Sequence, residues 1–194
     1  MTDIHLILAS QSPRRQALLR LLGLPFSVQV SQADETPEPG LSPAEQVAQV
    51  SRRKADAIGG EPGSVIIAAD TVVVCDDRVL GKPRDPQQAR EMLQLLSGRT
   101  HQVMTGLTVL YGDRCHTCTE ITEVTFRPLS RQEIDRYVRS GEPMDKAGAY
   151  GIQGGGALFA QKLNGDYYNV MGLPMCRLVQ VLRQTVPELM EDRL

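Results

Sequence analysis

Residues 64–75 read SVIIAADTVVVC, a run of β-branched and small apolar residues with Asp70 in its middle. A strand with one face in water alternates polar and apolar residues, so an unbroken run of this kind predicts a central strand covered on both faces. Its neighbours supply the covering helices. Ile4 to Ala9 is a second β-compatible run, and it leads through Ser10-Gln11-Ser12-Pro13-Arg14-Arg15 into Ala17, Leu18, Leu21 and Leu22 at helical spacing. Ser12 suits the N-cap, Pro13 the first helical position and Gly23 the left-handed stop. A second helix is expected from the capping box at Ser42-Pro43-Ala44-Glu45 to about Ile58, with Val47, Val50 and Ile58 on its apolar face. At 100° per residue, Lys54 falls on that same face.

Downstream of the central run, Asp85-Pro86 caps a third helix with Ala89, Met92, Leu93 and Leu96 inward, ending at Ser97-Gly98. Strands are expected around Gln102–Tyr111 and Thr117–Arg127. A helix capped at Ser130 carries Ile134, Tyr137 and Val138 to a stop at Gly141. The glycine-rich stretch from Asp145 to Asn169 holds two short β-like pieces, and a last helix starts near Pro174. The proline-rich segment from Asp34 to Ser42 is short enough to be a surface loop rather than a linker. These elements make one α/β domain over residues 1–194 with a mixed sheet flanked by helices.

Composition excludes several classes. The 194 residues are 41% hydrophobic and 23% charged, within the range of a globular chain and outside that of a collagen, a disordered tail or a membrane bundle. With 21 Lys and Arg against 23 Asp and Glu, the net charge of -2 offers no general attraction to nucleic acid or anionic lipid. The chain has no Trp and no basic stripe, so no nucleic-acid partner is expected. No apolar run reaches the length of a membrane span, and the first sixteen residues do not have the layout of a secretion signal. Four cysteines, two of them in hydrophobic runs, fit a reducing compartment, and a cytoplasmic location is expected.

Several residues could carry chemistry. Ser10, Ser12, Arg14 and Arg15 gather two hydroxyls, free N–H groups and two guanidinium groups at a helix start, which makes either a phosphate cradle or an ordinary cap with a solvated face. Lys54 either runs its stem along apolar surface to water or turns its ammonium toward an anion. Asp70 is the sharper signal. An ionised carboxylate inside a buried strand is costly unless it is paired, hydrogen-bonded or bound to metal. Asp34-Glu35 offers further carboxylates, and Gly81-Lys82-Pro83-Arg84 places two cations before a helix, a set suited to a metal-phosphate substrate. Cys115-His116-Thr117-Cys118 is a lone C-x-x-C without a second half-site, and no phosphate loop, dinucleotide fingerprint or zinc helix is present.

Taken together, these segments resemble the Maf family of nucleoside triphosphate pyrophosphatases, in its dTTP/UTP-acting branch. The resemblance is carried by LASQSPRRQALL at 8–19, Asp34-Glu35, RKA at 53–55, AADTVV at 68–73, GKPRD at 81–85, LSGRTHQVMTG at 96–106, DKAGAYGIQG at 145–154 and VMGLP at 170–174. It implies a two-lobed α/β domain with an elongated, bent mixed sheet, similar to inosine triphosphate pyrophosphatases, and a nucleotide cleft between the lobes. It also implies a cytoplasmic homodimer that uses a divalent cation, Mg or Mn, to split dTTP and UTP into monophosphate and pyrophosphate.

By position, the resemblance puts the general base at Asp70 and specificity at Arg14, Thr71 and Gln153. Ser10, Ser12, Arg15, Lys54 and Lys82 are expected to hold phosphate, and Glu35 and Asp70 the cation. The branch acting on 7-methyl-GTP tends to carry Ser-Asp-Gln where this chain has Ala69-Asp70-Thr71, and it lacks the block at 145–154 that is complete here. An amide at Gln153 can both donate to and accept from a pyrimidine edge. The rival expectation is a nucleotide-responsive binding module linked to septum formation, using the same cradle without hydrolysis.

Overall fold

The computed structural model describes residues 4–190; the 1–194 span expected for the domain runs past them at both ends. The strands are β1 (His5–Leu8), β2 (Phe26–Val28), β3 (Ser64–Cys75), β4 (Arg78–Leu80), β5 (Thr100–Tyr111), β6 (Arg114–Phe126) and β7 (Ala160–Asn164). The helices are α1 (Pro13–Leu19), α2 (Pro43–Ile58), α3 (Pro86–Leu96), α4 (Arg131–Arg139), α5 (Tyr167–Val170), α6 (Met175–Thr185) and α7 (Pro187–Met190).

One mixed sheet runs in the order β2-β1-β3-β5-β6-β7, with β4 paired to β3. Strands β2, β1 and β3 are parallel, and β4 and β7 pair antiparallel with β3 and β6. The expected mixed α/β architecture is therefore present. None of its described helices is long and apolar enough to cross a membrane.

The predicted helix signals act as caps. Ser12 accepts the Arg15 N–H, Asp85 accepts the Gln88 N–H, and both Ser42 and Ser130 close full capping boxes with Glu45 and Glu133. Gly23 takes φ +66° and turns the chain after a short 3-10 extension of α1. In place of the second β-like piece expected between 145 and 169, the chain forms short 3-10 turns, with β7 as its one strand.

The chain divides into two compact units. The first comprises residues up to Asp70, Thr105–Glu120 and the chain from Gly172 onward. Part of its core is Ile7 on β1, Ala9 just after it, Ile66 and Ala68 on β3, and Ala55 on α2, with the three alanines leaving room for α2 to lie close to the sheet. That approach is closest at Gly106, where an added Cβ would sit 2.0 Å from the carbonyl oxygen of Val47. One turn further along α2, the buried Ser51 hydroxyl bonds Thr108 on β5 at 2.8 Å, and Thr108 bonds Thr117 on β6 at 2.9 Å. A helix held at two successive turns cannot roll about its axis, so the direction of Lys54 is set.

The second unit comprises Thr71–Met104 and Ile121–Met171. Its core joins the inner face of α3 (Ala89, Met92, Leu93, Leu96) to Ile134, Tyr137 and Val138 of α4. Edge-to-face contacts link Phe126 to His101, Tyr150 and Phe159. Each such apolar side chain contributes about 1.5–3 kcal/mol on burial. The hairpin from β3 to β4 turns at Asp76 and Asp77, both at positive φ, as a two-residue connection demands and as Asp tolerates.

Candidate active site

In the first unit, β1 and β3 run parallel with Leu8 beside Ile67, and the Ala9 N–H donates to the Ile67 carbonyl at 2.8 Å. The chain thus leaves β1 at Ser10 alongside the residues that lead to Asp70. Ligand crevices in parallel sheets form at such carboxyl ends of strands.

Asp70 is half-buried on β3, its side chain 19% exposed, and its Oδ1 lies 2.7 Å from the Lys54 Nζ. Lys54 is buried on α2, with its ammonium turned to carboxylates rather than to water. The Glu35 carboxylate meets the same ammonium at 3.1 Å while remaining largely exposed. Glu35 sits on a loop tied at its neighbours. Asp34 Oδ1 accepts the Thr36 N–H at 2.8 Å, and Arg53 Nη2 donates to the Thr36 carbonyl at 2.8 Å. Hydrogen bonds from Thr36, its side chain first and its backbone N–H second, hold the exposed Asp34 carboxyl below its ordinary value.

Arg53 is a contributor that residue-type reasoning missed. It belongs to the RKA element, but only the fold shows that consecutive residues of α2 serve the loop and the carboxylates separately.

The turn after β1 is wound on itself. Ser10 is buried, and its hydroxyl accepts the Ser12 N–H at 3.2 Å and the Arg15 Nη1–H at 3.3 Å. Arg15 Nε donates to the Gly172 carbonyl at 2.7 Å. Burial pulls the Arg15 pKa down, while the nearby Asp70 and Glu35 carboxylates pull it up and Arg14 lowers it further. Arg15 and the acidic pair therefore share one electrostatic neighbourhood. Ser12 is the N-cap of α1, its side chain accepting the Arg15 N–H.

The structure thus brings Ser10, Ser12, Arg15, Glu35, Lys54 and Asp70 into one set within the first unit, with Arg14 on the first turn of α1. Of the residues in the second unit, Thr71 follows Asp70 on β3. Lys82 is exposed on the loop between β4 and α3, whose Gly81 carbonyl accepts the Gly148 N–H at 3.1 Å. Gln153 is exposed in the turn before β7.

The donor set bears on whether a divalent cation fits. Among the described residues no three His, Cys, Asp or Glu side chains gather as a metal cage. Two carboxylates do converge on one point, and the Lys54 ammonium shows that this point accepts positive charge. Magnesium is commonly held by one or two carboxylates, with water and substrate phosphate completing its shell, so Glu35 and Asp70 fit such an ion. Cys115 and Cys118 are free thiols three residues apart on β6, an odd spacing that sends their side chains to opposite faces of the strand.

An acidic pair, a buried lysine and a half-buried arginine stand at the parallel strand ends of a mixed α/β sheet, where ligand crevices form, with cationic groups of the kind that meet an anion. The comparisons narrow the class. Residues 5–185 match the family of Maf-like proteins, and the chain belongs to that family. It is 54% identical to the dTTP/UTP pyrophosphatase of Bacillus pumilus over 179 residues, 92% of this chain and 95% of the relative. It is also 54% identical to the dTTP/UTP pyrophosphatase of Symbiobacterium thermophilum over 181 residues, 93% of each. A solved HAM1 protein from Coxiella burnetii aligns with a TM-score of 0.50 over 93% of this chain and 99% of that one, at 18% identity, a likeness of fold.

Proposed function

We propose that this chain is a nucleoside triphosphate pyrophosphatase that converts dTTP and UTP to the monophosphate and pyrophosphate, keeping unwanted nucleotides from incorporation. The observation that carries the reading is the Glu35–Lys54–Asp70 cluster, at 3.1 and 2.7 Å, beside the Ser10–Arg15 turn. Relatives named dTTP/UTP pyrophosphatase, half identical across nearly the whole chain, support the substrate class.

In this reading Asp70 orients a water and takes its proton, and the resulting hydroxide attacks the α-phosphorus as the bond to the β-phosphate breaks and pyrophosphate leaves. Ser10, Ser12, Arg14, Arg15 and Lys82 hold the triphosphate, and Lys54 keeps the two carboxylates together with its ammonium at hand for a phosphate oxygen. Glu35 and Asp70 hold a divalent cation, Mg or Mn, which when bound neutralises phosphate charge. The work left to the protein is alignment and charge stabilisation. Arg14, Thr71 and Gln153 select the base. The family resemblance also supports a homodimer acting in the cytoplasm, and the four free thiols agree with a reducing compartment.

The test is pyrophosphate release from dTTP, UTP, CTP, GTP, ATP and 7-methyl-GTP with Mg or Mn, run beside Asp70→Asn. Release from dTTP and UTP that the variant loses supports the reading. Inorganic phosphate as product would place the cut at another bond, and nucleotide-dependent stabilisation without any product would favour a binding module.

A further inference from the structure

Tyr137 and Glu142 make a polar pair that the chemistry above does not use. Tyr137 is buried on α4 and donates its hydroxyl to Oε1 of Glu142 at 2.9 Å. The same hydroxyl oxygen accepts the Gly151 N–H at 3.0 Å, and Oε2 of Glu142 accepts the Gly155 N–H at 2.9 Å. These two N–H groups bracket the turn that presents Gln153. The turn also closes on itself, with the Gly154 N–H donating to the Gly151 carbonyl at 3.2 Å.

Its backbone is pressed onto the carboxylate. A Cβ at Gly154 would lie 2.2 Å from Oε1 of Glu142, and one at Gly151 would lie 3.0 Å from the same atom. Glu142 is itself fixed by Lys146, whose ammonium donates to the Glu142 carbonyl at 2.6 Å and pairs with Asp145 at 2.7 Å. Burial pushes the Tyr137 hydroxyl well above its ordinary pKa, so it stays a donor at any working pH.

Two side chains, one on the last turn of α4 and one on the 3-10 turn that follows it, thus hold both ends of a glycine turn whose tip carries one exposed amide. We infer that the Tyr137–Glu142 pair positions Gln153 for reading the pyrimidine edge, and so sets discrimination between UTP and CTP without touching the substrate. This rests on the reading of Gln153 as a base-selecting residue. Uracil and cytosine differ in the donor and acceptor pattern of one ring edge, which an amide distinguishes only if its orientation is held.

The experiment compares kcat/KM for UTP and CTP in the full chain and in Tyr137→Phe, Glu142→Gln and Gln153→Ala. The UTP-to-CTP ratio is expected to fall about tenfold in Tyr137→Phe, the worth of roughly one hydrogen bond. The loss should lie in KM for UTP while kcat at saturation holds. In a Gln153→Ala background, Tyr137→Phe should leave the ratio where Gln153→Ala put it. A merely structural role would lower activity on both nucleotides alike. Should Tyr137→Phe fail to fold, Glu142→Gln, which cannot accept from Gly155 and from Tyr137 in the same way, decides the same comparison.

A ratio unmoved in Tyr137→Phe and Glu142→Gln but collapsed in Gln153→Ala would overturn the inference and leave the role of Gln153 standing. A ratio unmoved in Gln153→Ala itself would overturn the parent reading, and this inference with it.

Discussion

The Lys54 ammonium lies 2.7 Å from Oδ1 of Asp70, joining the buried face of α2 to the middle of β3. With the lysine side chain 9% exposed and the aspartate 19%, neither charge is well served by water, and each is the other's main compensation. Removing one partner from such a pair leaves an uncompensated charge behind.

Lys54→Met keeps the apolar stem and removes the ammonium. It is expected to cost about 2–4 kcal/mol of unfolding free energy, since Asp70 is only partly buried and water can return to it in part. In the Lys54→Met background, Asp70→Asn should cost less stability than it does alone. Urea denaturation of the four members of this double-mutant cycle measures the coupling, and additive losses would show that the pair is not energetically joined.

Asp70→Asn keeps shape and hydrogen-bonding capacity but removes the basic oxygen. Turnover of UTP is expected to fall by about 10²–10⁴-fold, the range for loss of a positioned general base, while nucleotide affinity changes far less. Initial rates of pyrophosphate release beside equilibrium binding separate the two effects. Near-full turnover in the variant would remove Asp70 from the role of base.

Gly106→Ala tests how α2 is seated. The new Cβ would lie 2.0 Å from the Val47 carbonyl oxygen, 2.3 Å from its carbon and 2.6 Å from the Ala48 nitrogen, all backbone atoms that no rotamer change can move aside. The helix must lift from β5, and the Ser51–Thr108 bond and the aim of Lys54 shift with it. A loss above about 3 kcal/mol, or failure to fold, is expected from such overpacking, read from the urea midpoint.

How much of this was legible in the sequence depends on the range of the cause. The cap at Ser42 and the apolar face of α2 are local, and they were enough to place Lys54 on the buried side. Asp70 stood out because a charge in an apolar run demands a partner, although the run does not say which one. Strands β2 and β4, three residues each, are too short to show any period. The turn at 151–155 was unreadable for a different reason: its shape is set by Tyr137 and Glu142, and no spacing rule connects a tyrosine in a helix to a glycine run beyond it. Arg53 escaped in the same way, since its partner is a backbone carbonyl seventeen residues away.

His101 gives the fold a dependence on acid. Its ring is buried between Phe126 and Tyr150, with Nε2 bonded to the Tyr150 hydroxyl at 2.8 Å, and burial pushes its pKa down from 6.5 to about 4. The folded chain therefore keeps the imidazole neutral at a pH where the unfolded chain has already taken up a proton. Between the two values the unfolded state binds more protons, so stability is whole above pH 6.5 and drains away as pH falls through 6.5 toward 4. The slope from this one group approaches about 1.4 kcal/mol per pH unit in the middle of that window. His101→Gln, which retains a polar partner for Tyr150 but has no proton to gain, should flatten that part of the profile while leaving the carboxylate-driven loss at lower pH. Urea midpoints of both proteins at pH 7, 6, 5 and 4.5 check it, and parallel curves would show that His101 does not carry the effect.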